Sequence, residues 1–136
     1  MAERRTAVEP VVLAAVALGG VVGSLGRYAV GVALPQPAEG FPSATLLVNV
    51  TGAFAMGVLV AFLVDRPGGH RLARPFVGVG VLGGWTTFSA LAVEVVALAT
   101  VDRVQVALLY VAATFILGTL AVPTGAVVGQ RIWPGP

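Results

Sequence analysis

The chain has 136 residues, 57% hydrophobic and 10% charged, where an average soluble domain carries about 25% charged residues; it could not cover a water-soluble core with polar surface, and its length permits a single domain. Its net charge of +2, carried on eight arginines, is too small and too scattered for a nucleic-acid face. Without cysteine there is no disulfide framework, thiolate metal site or thiol nucleophile, and the lone His70, set in a Gly/Arg/Pro loop, reads as a solvated loop residue.

Arg4 and Arg5 precede an apolar run and resemble the start of a signal peptide or a twin-arginine signal. The run continues past the usual length of such a signal, and further apolar segments follow, so an uncleaved first transmembrane helix is expected, although Ala15-Val16-Ala17 could mimic a cleavage site. Four segments reach the roughly 20 residues a helix needs to cross a bilayer: Val11 to Leu34, Pro42 to Val64, Leu72 to Thr100 and Val104 to Val128. The connectors Pro35–Gly40, Asp65–His70 and Val101–Arg103 are short, which makes neighbouring helices antiparallel. The expected fold is therefore an all-α membrane protein, one integral membrane domain over residues 1–136.

Glycine occurs 18 times. In lipid it lets helix backbones approach closely, and the pairs Gly19/Gly23, Gly80/Gly84 and Gly125/Gly129 have the small-xxx-small spacing. That spacing accounts for tight packing within a subunit and does not by itself indicate a dimer. The third segment contains Gly83-Gly84-Trp85-Thr86-Thr87-Phe88-Ser89, a poor mid-helix sequence. A break there would release backbone groups in hydrocarbon, where protein, water or an ion must satisfy them, a cation held by carbonyls being one solution. The alternative is an ordinary helix whose hydroxyls bond back to preceding carbonyls. A bulky residue at Gly83 is expected to disfavour the broken geometry.

Gly78-Val79-Gly80-Val81-Leu82-Gly83 fits a dinucleotide-binding pattern, but such a site needs a βαβ unit around it and here the pattern lies inside a span. No nucleophile, base and orienting acid can be assembled from the chain, and no His/carboxylate cluster has metal-ligand spacing, so an enzyme is not expected. Polar groups at membrane depth are the informative ones. Asn49 shares a helical face with Thr45, Gly52 and Met56, and serves either a pathway or a helix–helix bridge. Tyr110, Thr114 and Gly118 form a stripe on the fourth segment; Tyr110 could equally be an interfacial aromatic, and Thr114 could bond its own helix. Arg27 either snorkels or faces a water-filled vestibule. Glu94 reads as a snorkelling or water-facing carboxylate. Amide, hydroxyls and an aromatic edge, with no buried carboxylate expected beside them, suit a small anion better than a cation.

These residues resemble the Fluc/CrcB fluoride-channel family. Gly19-Gly20-Val21-Val22-Gly23-Ser24-Leu25-Gly26-Arg27-Tyr28 is similar to its first-helix motif, Thr45-Leu46-Leu47-Val48-Asn49-Val50-Thr51-Gly52-Ala53-Phe54 to its second, and Gly83 to Ser89 to its third-helix signature. The resemblance covers essentially all four spans. It implies an antiparallel, dual-topology-type dimer of four-helix subunits, a break in the third helix, and two ion pathways carrying fluoride passively out of a bacterial cell across its plasma membrane. It also implies a structural sodium ion at the dimer centre. By residue, the resemblance assigns the sodium to the backbone carbonyls of Gly83 and Thr86, the pathway to Asn49, Phe88, Tyr110 and Thr114, and the vestibule to Arg27. Leu91 stands where the family carries a second pore phenylalanine, and Gly118 where another hydroxyl would extend the polar track. A proton-coupled exporter of cationic compounds is the competing transport reading; it needs an intramembrane carboxylate, and Glu9 lies at the membrane edge. A structural membrane assembly protein is the third.

With four spans, both termini and the second connector share one side, which carries Arg4, Arg5, Arg66, Arg71, Arg74 and Arg131; Arg103 and Arg27 mark the other. The positive-inside rule then favours cytoplasmic termini, and a single orientation implies a partner chain of opposite bias, a distinct paralogue. Topology reporters fused to the C-terminus should give signal from the cytoplasmic side alone; comparable signal from both sides would show dual insertion.

Overall fold

A computed structural model describes residues 9–37, 40–64 and 71–133; the expectations that rest on Arg4, Arg5, Arg66 and His70 lie outside them. The chain is all-helical, with four helical spans long and apolar enough to cross a membrane, Pro10–Ala33, Ser43–Leu63, Arg74–Thr100 and Val104–Ile132, and it is a multi-pass membrane protein. Helix α1 (Pro10–Ala33) opens with proline at its first turn, where the missing N–H costs nothing, and stops just before Pro35. The α2 helix (Ser43–Val64) follows Pro42. An ion pair between Glu9 and Arg71 ties the start of α1 to the approach to the third span.

The third span is composite. Residues Arg74–Val81 are wound as a π-helix, closed by the Leu82 N–H donating to the Val77 carbonyl, five residues back. Helix α3 (Leu82–Trp85) continues it for one turn, and α4 (Phe88–Thr100) completes the span. Between them Thr86 (φ −79°, ψ 156°) and Thr87 (φ −152°, ψ 125°) are extended. The turn into α5 (Val104–Ile132) is made by Asp102, at φ 59°, a left-handed conformation that aspartate tolerates better than most side chains. Pro123 lies inside α5 and removes the helical donor to the Thr119 carbonyl, yet the helix runs on to Ile132, past the Val128 suggested by hydropathy.

Packing divides the spans into two seams. Helix α1 lies along the π-wound segment and α3, while α2 lies along α5; α4 packs against α5. The third span therefore changes partner at Thr86–Thr87, from α1 before it to α5 after it. Both seams are backbone against backbone. A Cβ on Gly80 would sit 2.8 Å from the Gly19 Cα, and one on Gly125 would sit 3.0 Å from the Phe54 carbonyl carbon and 3.1 Å from the Val58 nitrogen. Glycine at these sites is what permits dispersion contact between helices in a solvent as apolar as the side chains themselves. Val48, Leu98 and Tyr110 are the largest side chains fully enclosed. Many large apolar side chains of the spans, among them Leu18, Leu25, Val93 and Leu109, are exposed on the subunit.

Gly125→Val should therefore destabilise the subunit by about 1–3 kcal/mol through overpacking, whereas Gly20→Ala, where nothing lies within 4 Å of the new Cβ, should unfold within about 0.5 kcal/mol of the parent. Thermal unfolding of both variants in detergent tests the pair.

Candidate functional site

Of the two extended residues, Thr86 still donates its N–H to the Leu82 carbonyl at 3.0 Å, while both backbone groups of Thr87 are partnered by a side chain. Asn49, on α2, accepts the Thr87 N–H on Oδ1 at 2.8 Å and donates from Nδ2 to the Thr87 carbonyl at 3.0 Å. A side-chain amide thus supplies one donor and one acceptor to a single residue, as a neighbouring strand would. Thr87 in turn caps α4, its Oγ1 accepting the Ala90 N–H at 3.2 Å, as threonine does at a helix start. In an unbroken α-helix the Thr87 N–H would donate to the Gly83 carbonyl and the Ala90 N–H to the Thr86 carbonyl. Both amides are committed to side chains, which leaves those two carbonyls without their helical donors.

The segment before this point is held from two sides. Trp85 donates its Nε1–H to Thr51 Oγ1 at 3.0 Å, and Thr51 donates to the Leu47 carbonyl at 2.7 Å. The indole sits close to Gly26 and Gly52: a Cβ on Gly26 would lie 2.8 Å from the ring, and one on Gly52 3.1 Å from it. Thr86 bonds back to the Leu82 carbonyl at 2.9 Å, so a back-bonded threonine and an extended pair occur side by side.

An open groove of ≈ 750 Å³ brings together Asn49, Gly83, Thr86, Phe88 and Thr114, and Leu91 and Gly118 line it as well. Tyr110 and Arg27 are not among its lining residues. Arg27 is half-buried on α1. The Thr114 hydroxyl donates to the Tyr110 carbonyl at 2.8 Å, which matches the self-bonded alternative for that residue. The expectation that Gly83 is needed for its backbone conformation is corrected: no left-handed φ occurs there and a Cβ would meet nothing within 4 Å.

Tyr110 has a different setting from the one expected. It is fully buried, its ring stands edge-on to Phe41 with centroids 5.6 Å apart, and its hydroxyl donates to Glu94 Oε2 at 2.7 Å. Thr45 donates to the other carboxylate oxygen at 2.6 Å. Glu94 is half-buried, so a partly exposed carboxylate stands beside the polar track, and beyond the water-facing role expected of it, it joins α2, α4 and α5. Sequence reasoning missed this triad. The signal was present, because in a tight α4–α5 hairpin centred on Asp102, positions 94 and 110 reflect onto each other. Thr87 was missed too; only its place immediately before a new helix identifies it as a cap.

A family model described as CrcB-like protein, Camphor Resistance (CrcB), matches residues 14–126. A Nocardia farcinica (strain IFM 10152) protein named fluoride-specific ion channel FluC 2 is 45% identical over 121 residues, covering 89% of this chain and 84% of that one. A Streptomyces coelicolor protein named fluoride-specific ion channel FluC 1 is 43% identical over 121 residues, covering 89% and 79%. A Paracoccus denitrificans (strain Pd 1222) protein named fluoride-specific ion channel FluC is 44% identical over 118 residues, covering 87% and 94%.

Tyr110→Phe removes one of the two hydroxyls that solvate the Glu94 carboxylate. It should lower stability by roughly 0.5–2 kcal/mol, the range for hydrogen bonds between membrane helices, and Glu94→Gln in the same background should recover part of the loss. Thermal unfolding of the single and double variants in detergent measures both.

Proposed function

The chain belongs to the CrcB family, and from that premise we propose that it is one subunit of a fluoride-selective channel, which lowers cytoplasmic fluoride by passive efflux. The observation that carries the reading is the groove that gathers the Asn49 amide, Phe88 and Thr114 in one membrane-spanning chain. Fluoride is small and strongly hydrated, so a pathway must offer donors nearly as good as water yet release the ion. Asn49 has two amide hydrogens and uses one on the Thr87 carbonyl; the second is the donor offered to the anion. Phe88 is 72% exposed in the single subunit and presents the electropositive edge of its ring. Thr114 adds a donor by rotating its hydroxyl away from the Tyr110 carbonyl. Tyr110 joins the route when the ion competes with Glu94 for its hydroxyl, and Arg27 raises the local concentration of anions in the vestibule. Neutral HF crosses membranes and dissociates in the less acidic cytoplasm, and the membrane potential, worth about 2.3 kcal/mol per charge per 100 mV, drives the trapped anion out.

A sodium ion fits the Gly83 and Thr86 carbonyls, because both have lost their helical donors to side chains and both residues lie on the groove. Carbonyl oxygens are the ligands that replace an alkali ion's water. Bound there, the ion would supply fixed positive charge beside the groove. One subunit offers two such carbonyls, too few for an alkali ion, and a second, antiparallel subunit would supply the rest. The start of α1 and the approach to the third span share one end through Glu9 and Arg71; we assign that end to the cytoplasm from the arginine distribution. A chain inserted one way pairs with a paralogue of opposite bias, and such a partner brings the aromatic edge and hydroxyl that this chain lacks at Leu91 and Gly118.

Liposomes containing the purified protein, with its partner where one is required, should release fluoride and retain chloride. Asn49→Ala should slow fluoride release by roughly tenfold or more, equivalent to at least about 1.4 kcal/mol. Equal release of the two halides would overturn the proposal.

A further inference from the structure

The groups that leave the Gly83 and Thr86 carbonyls without helical donors are two side chains, Asn49 and Thr87, and each does so in the same way. Asn49 Oδ1 holds the Thr87 N–H, and Thr87 Oγ1 holds the Ala90 N–H. Thr87 is buried, and inside a membrane an N–H released from its acceptor must find another. The helical acceptors for these two amides are the Gly83 and Thr86 carbonyls, which are the oxygens read above as cation ligands. An amide and a cation cannot both have full use of the same oxygen lone pairs.

We propose that Asn49 and Thr87 are positioning residues for the cation site, diverting two backbone N–H groups from its carbonyl ligands, and that Asn49 thereby couples that site to the anion route. The proposal rests on the reading of Gly83 and Thr86 as sodium ligands. Asn49 has two duties on two atoms: Oδ1 keeps Thr87 from returning to Gly83, and Nδ2, fixed by the Thr87 carbonyl, keeps its second hydrogen for the anion. An ion on the carbonyls holds Thr87 extended, which fixes the Asn49 amide plane; a fixed amide plane keeps the carbonyls open. The two effects are reciprocal, as binding linkage requires.

The test is a sodium titration of thermal stability on the purified, assembled protein, with choline replacing sodium at constant ionic strength. A ligand that binds only the folded assembly raises its Tm with concentration, so each variant yields a sodium midpoint without any flux measurement. Asn49→Ala and Thr87→Val should raise the midpoint by about tenfold or more, the effect of roughly 1.4 kcal/mol. Thr87→Ser keeps the acceptor oxygen and should titrate within about threefold of the parent, well under 1 kcal/mol apart. If Asn49→Ala does not assemble, the comparison of Thr87→Val with Thr87→Ser decides by the same criterion. Parental midpoints in Asn49→Ala or Thr87→Val would overturn the coupling while leaving the sodium reading intact, and so would a weakening in Thr87→Ser equal to that in Thr87→Val. A parent whose stability ignores sodium while fluoride still moves would overturn the sodium reading and the coupling together, leaving the channel proposal standing.

Discussion

In hydrocarbon every backbone amide needs a partner from the protein, and Thr87, extended in the third span, does not find one by helical winding, whereas the Thr86 N–H still reaches the Leu82 carbonyl. The paired bonds between Asn49 and the two backbone groups of Thr87 meet that requirement. Much of the site follows from them. They fix the point at which the third span leaves α1 for α5, set the cap of α4, and release two carbonyls that a continuous helix would have occupied. A polar side chain in a span is thus spent on backbone conformation first, and whatever it offers an ion is what remains of its hydrogen-bonding capacity.

The same economy governs Glu94. A carboxylate within a span would be costly alone, but here two hydroxyls from different helices solvate it. Those bonds link α2, α4 and α5 where glycine packing does not reach, so the polar cluster and the glycine seams share the work of holding the subunit together. Trp85 and Thr51 add a third tie, between α2 and α3, with Gly26 and Gly52 leaving room for the indole.

The four spans were legible in the sequence because apolar length is a strong signal and needs no knowledge of partners. The glycine spacings identified the close-packed faces, since only backbone contact calls for residues without side chains at those intervals, though they could not indicate which helix each face would meet. The helical face of Thr45, Asn49, Gly52 and Met56 was legible as a face but not as two sites: Thr45 turns to Glu94, while Asn49 serves Thr87. That division depends on which helices cross opposite α2, and a single chain's periodicity carries no such information. Glu94 was read in isolation, as a residue on one helix, when its meaning lay in the reflection of α4 onto α5.

The seams have a consequence for how the subunit deforms. Helices joined glycine to backbone possess few rotamers at their contact, so there is little side-chain rearrangement by which one could slide or tilt against the other. Each pair, α1 with the first half of the third span and α2 with α5, behaves as a stiff plank. The planks are joined along the third span by two extended residues and across it by the Trp85–Thr51 and Asn49–Thr87 bonds. A push from lipid or from a neighbouring chain that changed the angle between the planks would act on those bonds and on Thr86–Thr87, the place where Asn49 grips the backbone.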